Sequence, residues 1–183
     1  METVDYSDRK LTKLPKIPEN TEDLICYHNK LKKLPKLPAS LQYLDCKKNQ
    51  IMILPALSVS LRHLDCRDND IKELPELPVS LTNLYCGYNQ LVKLPKLPPS
   101  LTDLDCEYNN LEFLPELPKT LKRLWCKYNF LKKLPRLPKS LIDVECKGNY
   151  CLKITKKLCD LNVAMNLISI SIVTMIIMPV LFN

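Results

Sequence analysis

The sequence predicts an all-β solenoid, a coil of short parallel strands with one strand per 20-residue turn. Three observations predict it. A Leu-Pro pair returns at Leu14, Leu34, Leu54, Leu74, Leu94, Leu114 and Leu134. Cysteine keeps the same period at Cys26, Cys46, Cys66, Cys86, Cys106, Cys126 and Cys146, and so does asparagine at Asn29, Asn49, Asn69, Asn89, Asn109, Asn129 and Asn149. The composition points the same way. With 15 Pro, 2 Gly, 3 Phe and 1 Trp, the chain is short of the aromatic bulk that fills an ordinary globular core. Regular leucines argue against disorder, so the apolar surface must be buried between stacked units.

Each element of the unit follows from its residues. In the turn from Leu111 to Asn129, Leu124 and Cys126 are two apart and point to one face of a strand, the interior. Leu121, Leu131, Leu134 and Leu137 complete the interior layer. Asn129 ends the strand at a bend, where its amide can bond backbone groups and stack into an asparagine ladder. The back, Leu134-Pro135-Arg136-Leu137-Pro138, cannot be helical, because two prolines remove donors and fix φ. It is expected to be extended and polyproline-like. Residues 1–150 hold about eight such units. The first is degenerate: Val4, Tyr6 and Leu11 stand in for Leu24, Cys26 and Leu31, while Arg9 stands where asparagine should be. Terminal units diverge because one face meets solvent.

The core of the unit, L-x-x-L-x-C-x-x-N-x-L, resembles the leucine-rich repeat, and the longer pattern LPxLPxSLxxLxCxxNxL is similar to its short LP-type form. That form is carried by bacterial effector proteins delivered into host cells, usually with valine where this chain has cysteine. The cysteine-containing, lysine- and asparagine-rich version looks more like repeat proteins of giant DNA viruses that infect amoebae. The resemblance covers about residues 11 to 149. It implies a leucine-rich repeat solenoid with strands on the concave face, and a non-enzymatic binding module inside a cell. The expected partner is an unidentified protein, a host protein if the effector likeness holds. Some effectors add a ubiquitin-ligase domain after the repeats. The residues after Asn149 are too few for one, and no catalytic residue is carried over.

The seven periodic cysteines read as packing residues. Side-by-side thiols in a line do not converge as a tetrahedral metal site needs, and parallel Cβ vectors make poor disulfides. No metal or cofactor is expected. Free thiols persist best in a reducing compartment, and METVDYSDRK is not a secretory signal, so an intracellular location is expected. Cys151 and Cys159 lie off the period and read as surface thiols or as a lipidation or redox pair.

Outward-pointing strand residues should make the binding surface. Four rows can be read along them. The aromatics Tyr85, Tyr88, Tyr108, Trp125 and Tyr128 form one diagonal patch there, with Arg123 beside it. Such residues carry protein-interface energy, which makes these six the candidate protein-binding site. The alternative is that large side chains on neighbouring strands only pack with one another. The rows hold nine acids against six Lys or Arg, so the net charge of +7 must sit on the edge and back, as at Lys32, Lys33, Lys132 and Lys133. A nucleic-acid reader would want cations and stacking aromatics on one surface. That binding mode is therefore disfavoured, though the lysine-rich edge keeps it as an alternative beside a structural repeat with no specific partner. Enzymatic readings lack support: His28 and His63 are far apart, and two glycines cannot build a phosphate loop.

After Asn149 the period stops. Residues 151–162 form a short charged segment, and 163–183 form an apolar tail. Val163 to Phe182 carries no charge and has the length of a bilayer-spanning helix, with Lys156 and Lys157 before it. The readings are a membrane tail anchor, with the repeats in the cytosol, a cap on the last open core face, and a disordered or truncated end. The anchor is narrowly preferred, because a cap would need alternating polar residues.

Overall fold

The computed structural model describes residues 2–150. The segment 151–162 and the tail 163–183 lie outside the described residues, and with them the anchor and cap readings and Cys151 and Cys159. Among the described residues no helix is long and apolar enough to cross a membrane.

Eight three-residue strands form one sheet in chain order: β1 (Thr3–Asp5), β2 (Asp23–Ile25), β3 (Tyr43–Asp45), β4 (His63–Asp65), β5 (Asn83–Tyr85), β6 (Asp103–Asp105), β7 (Arg123–Trp125) and β8 (Asp143–Glu145). Every neighbouring pair is parallel, and every residue pairs with the one 20 positions later, as Leu64 with Leu84 and Leu84 with Leu104. No helix occurs among the described residues. The solenoid expected from the period is therefore the fold, down to the degenerate first unit, which contributes β1.

The register makes each strand's middle residue point inward. Leu24, Leu44, Leu64, Leu84, Leu104 and Leu124 are fully buried, as are all seven periodic cysteines. Leucines and isoleucines from the turns, such as Leu61, Ile71, Leu81, Leu91 and Leu101, close the layer. Burial holds the thiols protonated: that of Cys26 is pushed up to about 12, and those of Cys46 and Cys86 are raised well above the ordinary range. A thiol that does not ionise is neither a nucleophile nor a metal ligand.

Two polar ladders tie the turns together. The asparagine ladder runs as the sequence predicts. The Asn69 amide donates to the carbonyls of Cys46 in the preceding turn and Cys66 in its own, both at 3.1 Å, while its Oδ1 accepts the Ile51 amide at 2.9 Å. Asn29 reaches the first unit in the same way, accepting the amides of Arg9 and Leu11, so the missing asparagine at position 9 leaves the ladder closed. The second ladder is built from hydroxyls. Ser80 Oγ donates to the carbonyls of Val59 and Leu61, and Ser40, Ser100 and Thr120 repeat the arrangement. It sits beside a tight turn in which Leu81 N–H donates to the Pro78 carbonyl at 3.1 Å, which brings the proline-rich back round into the next strand. Where Ser58 replaces that proline the same turn is kept, with Leu61 N–H on the Ser58 carbonyl at 3.1 Å, and the Ser58 hydroxyl also donates to the Ala39 carbonyl and accepts the Ser60 amide.

Candidate functional site

The sheet's outward residues build a shallow surface in rows. The strands' first residues (Asp23 to Asp143) and last residues (Ile25 to Glu145) flank the inward leucines, as alternation requires. The third row, Tyr27 to Lys147, follows the cysteines. The fourth departs from the strand pattern. His28, Lys48, Asp68, Tyr88, Tyr108 and Tyr128 all have φ between 49° and 56°, and Gly148 has φ 76°. This left-handed residue turns the chain so that the following asparagine points inward. Side chains pay a steric penalty there, and the repeat imposes it on a tyrosine three times.

That bend divides the aromatic patch. The five candidate rings do not form one diagonal group but two stacks. Tyr88, Tyr108 and Tyr128 stack along the bend at 4.4 and 4.5 Å between centroids, all of them exposed. The Tyr128 ring lies over Gly148, where a Cβ would come within 2.5 Å of it, so the glycine makes room for the end of the stack. Tyr85 and Trp125 face each other on the strands proper, 6.5 Å apart and 23° from parallel. Two further aromatics that the sequence reading left out extend this second line toward the N-terminus: Tyr43 stacks on His63 at 4.3 Å, and His63 meets Tyr85 at 5.2 Å. Their positions in the first row were visible, but not the reach of their rings across to the second.

In the same rows as the strand aromatics run buried charges. Asp45, Asp65, Asp103 and Asp105 are nearly inaccessible although they lie on the outward face. Three are matched closely: Lys47 meets Asp45 at 2.5 Å, Arg67 meets Asp65 at 2.6 Å, and Arg123 pairs with Asp103. Arg123, placed beside the aromatic patch by the sequence, is thus engaged with a buried carboxylate. Asp105 is matched poorly. Its Oδ1 accepts the Glu107 amide at 3.2 Å, and Arg67 Nη1 stands 3.8 Å from its Oδ2. Burial first, then the nearby Glu107 charge, outweigh these contacts and push its carboxyl up to about 6.

A folded-state value above the ordinary 3.8 means that ionised Asp105 opposes folding. Its cost is absent where both states are protonated and grows as pH rises to the folded value. Asp105→Asn should therefore stabilise the protein by on the order of 1–3 kcal/mol at about pH 7, and the gain should vanish below about pH 4. Urea titrations of both proteins at the two pH values check this.

An open groove of about 340 Å³ lies between Lys47, Lys48, Arg67, Asp68 and Tyr88. Its cations Lys47 and Arg67 are already held by Asp45 and Asp65, which weakens its pull on an anion. Among the described residues, no group of three or more His, Cys, Asp or Glu is arranged to hold a metal ion.

No protein-family profile matches the sequence, nor does any curated protein. Solved structures do. The chain is similar to YopM from Yersinia enterocolitica WA-314, with 38% identity over 76% of this chain and 36% of that one, at a TM-score of 0.65. It is similar to YopM of Yersinia pestis, described as a leucine-rich effector protein, with 37% identity over 81% and 43% of the two chains and a TM-score of 0.79. A Shigella effector leucine-rich repeat domain matches at 25% identity and a TM-score of 0.74, over 92% and 78%. The chain spans less than half the length of the two YopM proteins it matches.

Proposed function

We propose that this leucine-rich repeat protein, of the short 20-residue kind, is a non-enzymatic protein-binding module that reads its partner with the concave face. The observation that carries the reading is the exposed aromatic surface on that face. Tyr88, Tyr108 and Tyr128 remain between 39% and 48% accessible after stacking with one another. Mutual packing therefore does not consume them. Backbone bonds between successive bends, Tyr88 N–H to the Glu107 carbonyl and Tyr108 N–H to the Lys127 carbonyl, both at 2.9 Å, hold them at fixed spacing, so little side-chain freedom is left to lose on binding. With Tyr85, Trp125 and Arg123 they supply the residue types that dominate interface energetics. The likeness to effector repeat domains supports a partner that is a protein, and a working site inside a cell.

The test is positional. A photo-reactive amino acid at position 108 should cross-link a discrete partner from lysate, and one at the exposed turn position 79, before the strand, should not. Trp125→Ala combined with Tyr108→Ala should weaken capture of that partner at least tenfold with the melting curve little changed, since both rings lie outside the leucine core. Equal cross-linking from positions 79 and 108, or full capture by the double variant, would refute the concave-face reading.

A further inference from the structure

We propose that Tyr85, Asp105 and Trp125 form a slot for a guanidinium group, an arginine side chain presented by the partner; this rests on the concave-face reading above. The three residues occupy successive strands in register, with Asp105 paired to Tyr85 on one side and to Trp125 on the other. Strands two apart are separated by about 9.6 Å, twice the strand spacing. The rings stand only 6.5 Å apart, so they lean toward each other across the strand that carries Asp105. They do not touch as Tyr88 and Tyr108 do at 4.4 Å. A planar group stacked between two faces needs about 7 Å, two contacts of about 3.5 Å each. The slot is thus within about half an ångström of that width.

Both walls are fixed from outside. Trp125 Nε1 donates to Asp143 at 3.0 Å, and Tyr85 Oη accepts from Asn83 Nδ2 at 3.4 Å. The floor carries a carboxylate whose own cation is committed elsewhere. Arg67 spends its Nε and Nη2 on Asp65 at 2.9 and 2.6 Å and comes no nearer to Asp105 than 3.8 Å. It approaches across Gly87, where a Cβ would fall 2.8 Å from Asp105 Oδ1, so the missing side chain keeps that flank of the carboxylate clear. Arg67 also lies 5.2 Å from the Tyr85 centroid, so the chain itself already sets a guanidinium against that ring.

Charge selects the same ligand. Around the slot stand the carboxylates of Asp65, Asp103, Asp105, Glu107 and Glu145, against the cations Lys47, Arg67, Arg123 and Lys127. A cation is drawn to this surplus, and between two aromatic faces a flat one gains most. Guanidinium stacks and donates to a carboxylate at once, whereas a lysine ammonium is compact and more strongly hydrated.

The chain has 1 tryptophan, Trp125, so its fluorescence reads the slot directly in the full-length protein. The probe is the peptide acetyl-Gly-Arg-Gly-amide, with its citrulline and lysine counterparts. The arginyl peptide should give a saturable change with a Kd on the order of 1 mM. Citrulline, flat but uncharged, should bind at least tenfold more weakly, and lysine also more weakly. Asp105→Asn, expected to fold at least as stably as the parent, should lose at least tenfold, and Tyr85→Leu should weaken binding by the separate route of a lost wall. Affinity should fall as pH drops through about 6, where Asp105 takes up a proton among Arg67, Glu107 and Asp65. No saturable change, citrulline or lysine binding equal to arginine, or full binding by Asp105→Asn overturns the proposal. Cross-linking from position 108 is judged separately, so loss of the slot with the cross-link retained removes only the arginine.

Discussion

Replacing Cys86 with aspartate is expected to be the most damaging single change in the solenoid, at about 4 kcal/mol or more. The thiol is fully buried at the middle of the stack, between Cys66 and Cys106. A carboxylate there has no cation to meet and no water. It would stay protonated, and a neutral carboxyl still loses its hydrogen bonds to solvent. A graded series separates this from mere change of shape. Cys86→Val adds little volume and suits a strand, so it should cost about 1 kcal/mol or less. Cys86→Ser buries a hydroxyl of similar size and should cost about 1–3 kcal/mol. Urea unfolding should rank the three as Val, Ser, Asp. In a solenoid each turn touches only its neighbours, so a central lesion also uncouples the two ends. The aspartate variant should therefore unfold in a broader transition, with a smaller apparent slope, than the parent. A single sharp transition within about 1 kcal/mol of the parent would mean that position 86 is not interior.

How much of this could be read in advance depends on which link of the chain a feature occupies. Strand register was legible because it is a count: Leu64, Leu84 and Leu104 are 20 residues apart and pair accordingly. The inward turn of the cysteines followed from alternation about those leucines. The bend was harder. Nothing in the residue types Lys48, Asp68 and Tyr88 announces a common left-handed conformation, since glycine takes that position only at Gly148. The sequence pattern therefore places the row containing Tyr108 on the strand and predicts one aromatic patch, where the structure has two stacks. Side-chain reach was not legible at all. Arg67 spans from its own strand end across Gly87 toward Asp105, two strands away, and a row-by-row reading assigns each charge only to its neighbours. Tyr43 and His63 were missed as members of the aromatic line for the same reason. The serine ladder was present in the pattern as a recurring residue, but its partners Val59 and Leu61 lie in the preceding turn, which only the coil's closure reveals.

Asn109→Ala is the second large effect expected, and it tests the device that joins turns rather than the core that fills them. One side chain serves four backbone groups. Its Nδ2 donates to the carbonyls of Cys86, Cys106 and Glu107 at 3.1, 3.2 and 3.1 Å, two hydrogens shared among three acceptors. Its Oδ1 accepts the Leu91 amide at 2.9 Å. The residue is 6% accessible, so water cannot take over these bonds. Alanine strands the Leu91 amide and the carbonyls together. Each buried group left unsatisfied costs about 1–3 kcal/mol, and partial relaxation places the total near 3–5 kcal/mol. Aspartate keeps the shape and the acceptor but has no hydrogens to give, and it would face the carbonyl oxygens with a negative charge. Asn109→Asp should therefore be at least as destabilising as alanine above about pH 6 and less so in acid, where the protonated carboxyl regains one donor. The same alanine change at Asn29 should cost less, because the turn it ties down is the first and meets a neighbour on one side only. Hydrogen exchange locates the lesion: in Asn109→Ala the Leu91 amide should lose its protection first. Protection of Leu91 unchanged from the parent, with stability within about 1 kcal/mol, would show that the leucine layers hold adjacent turns together without the ladder.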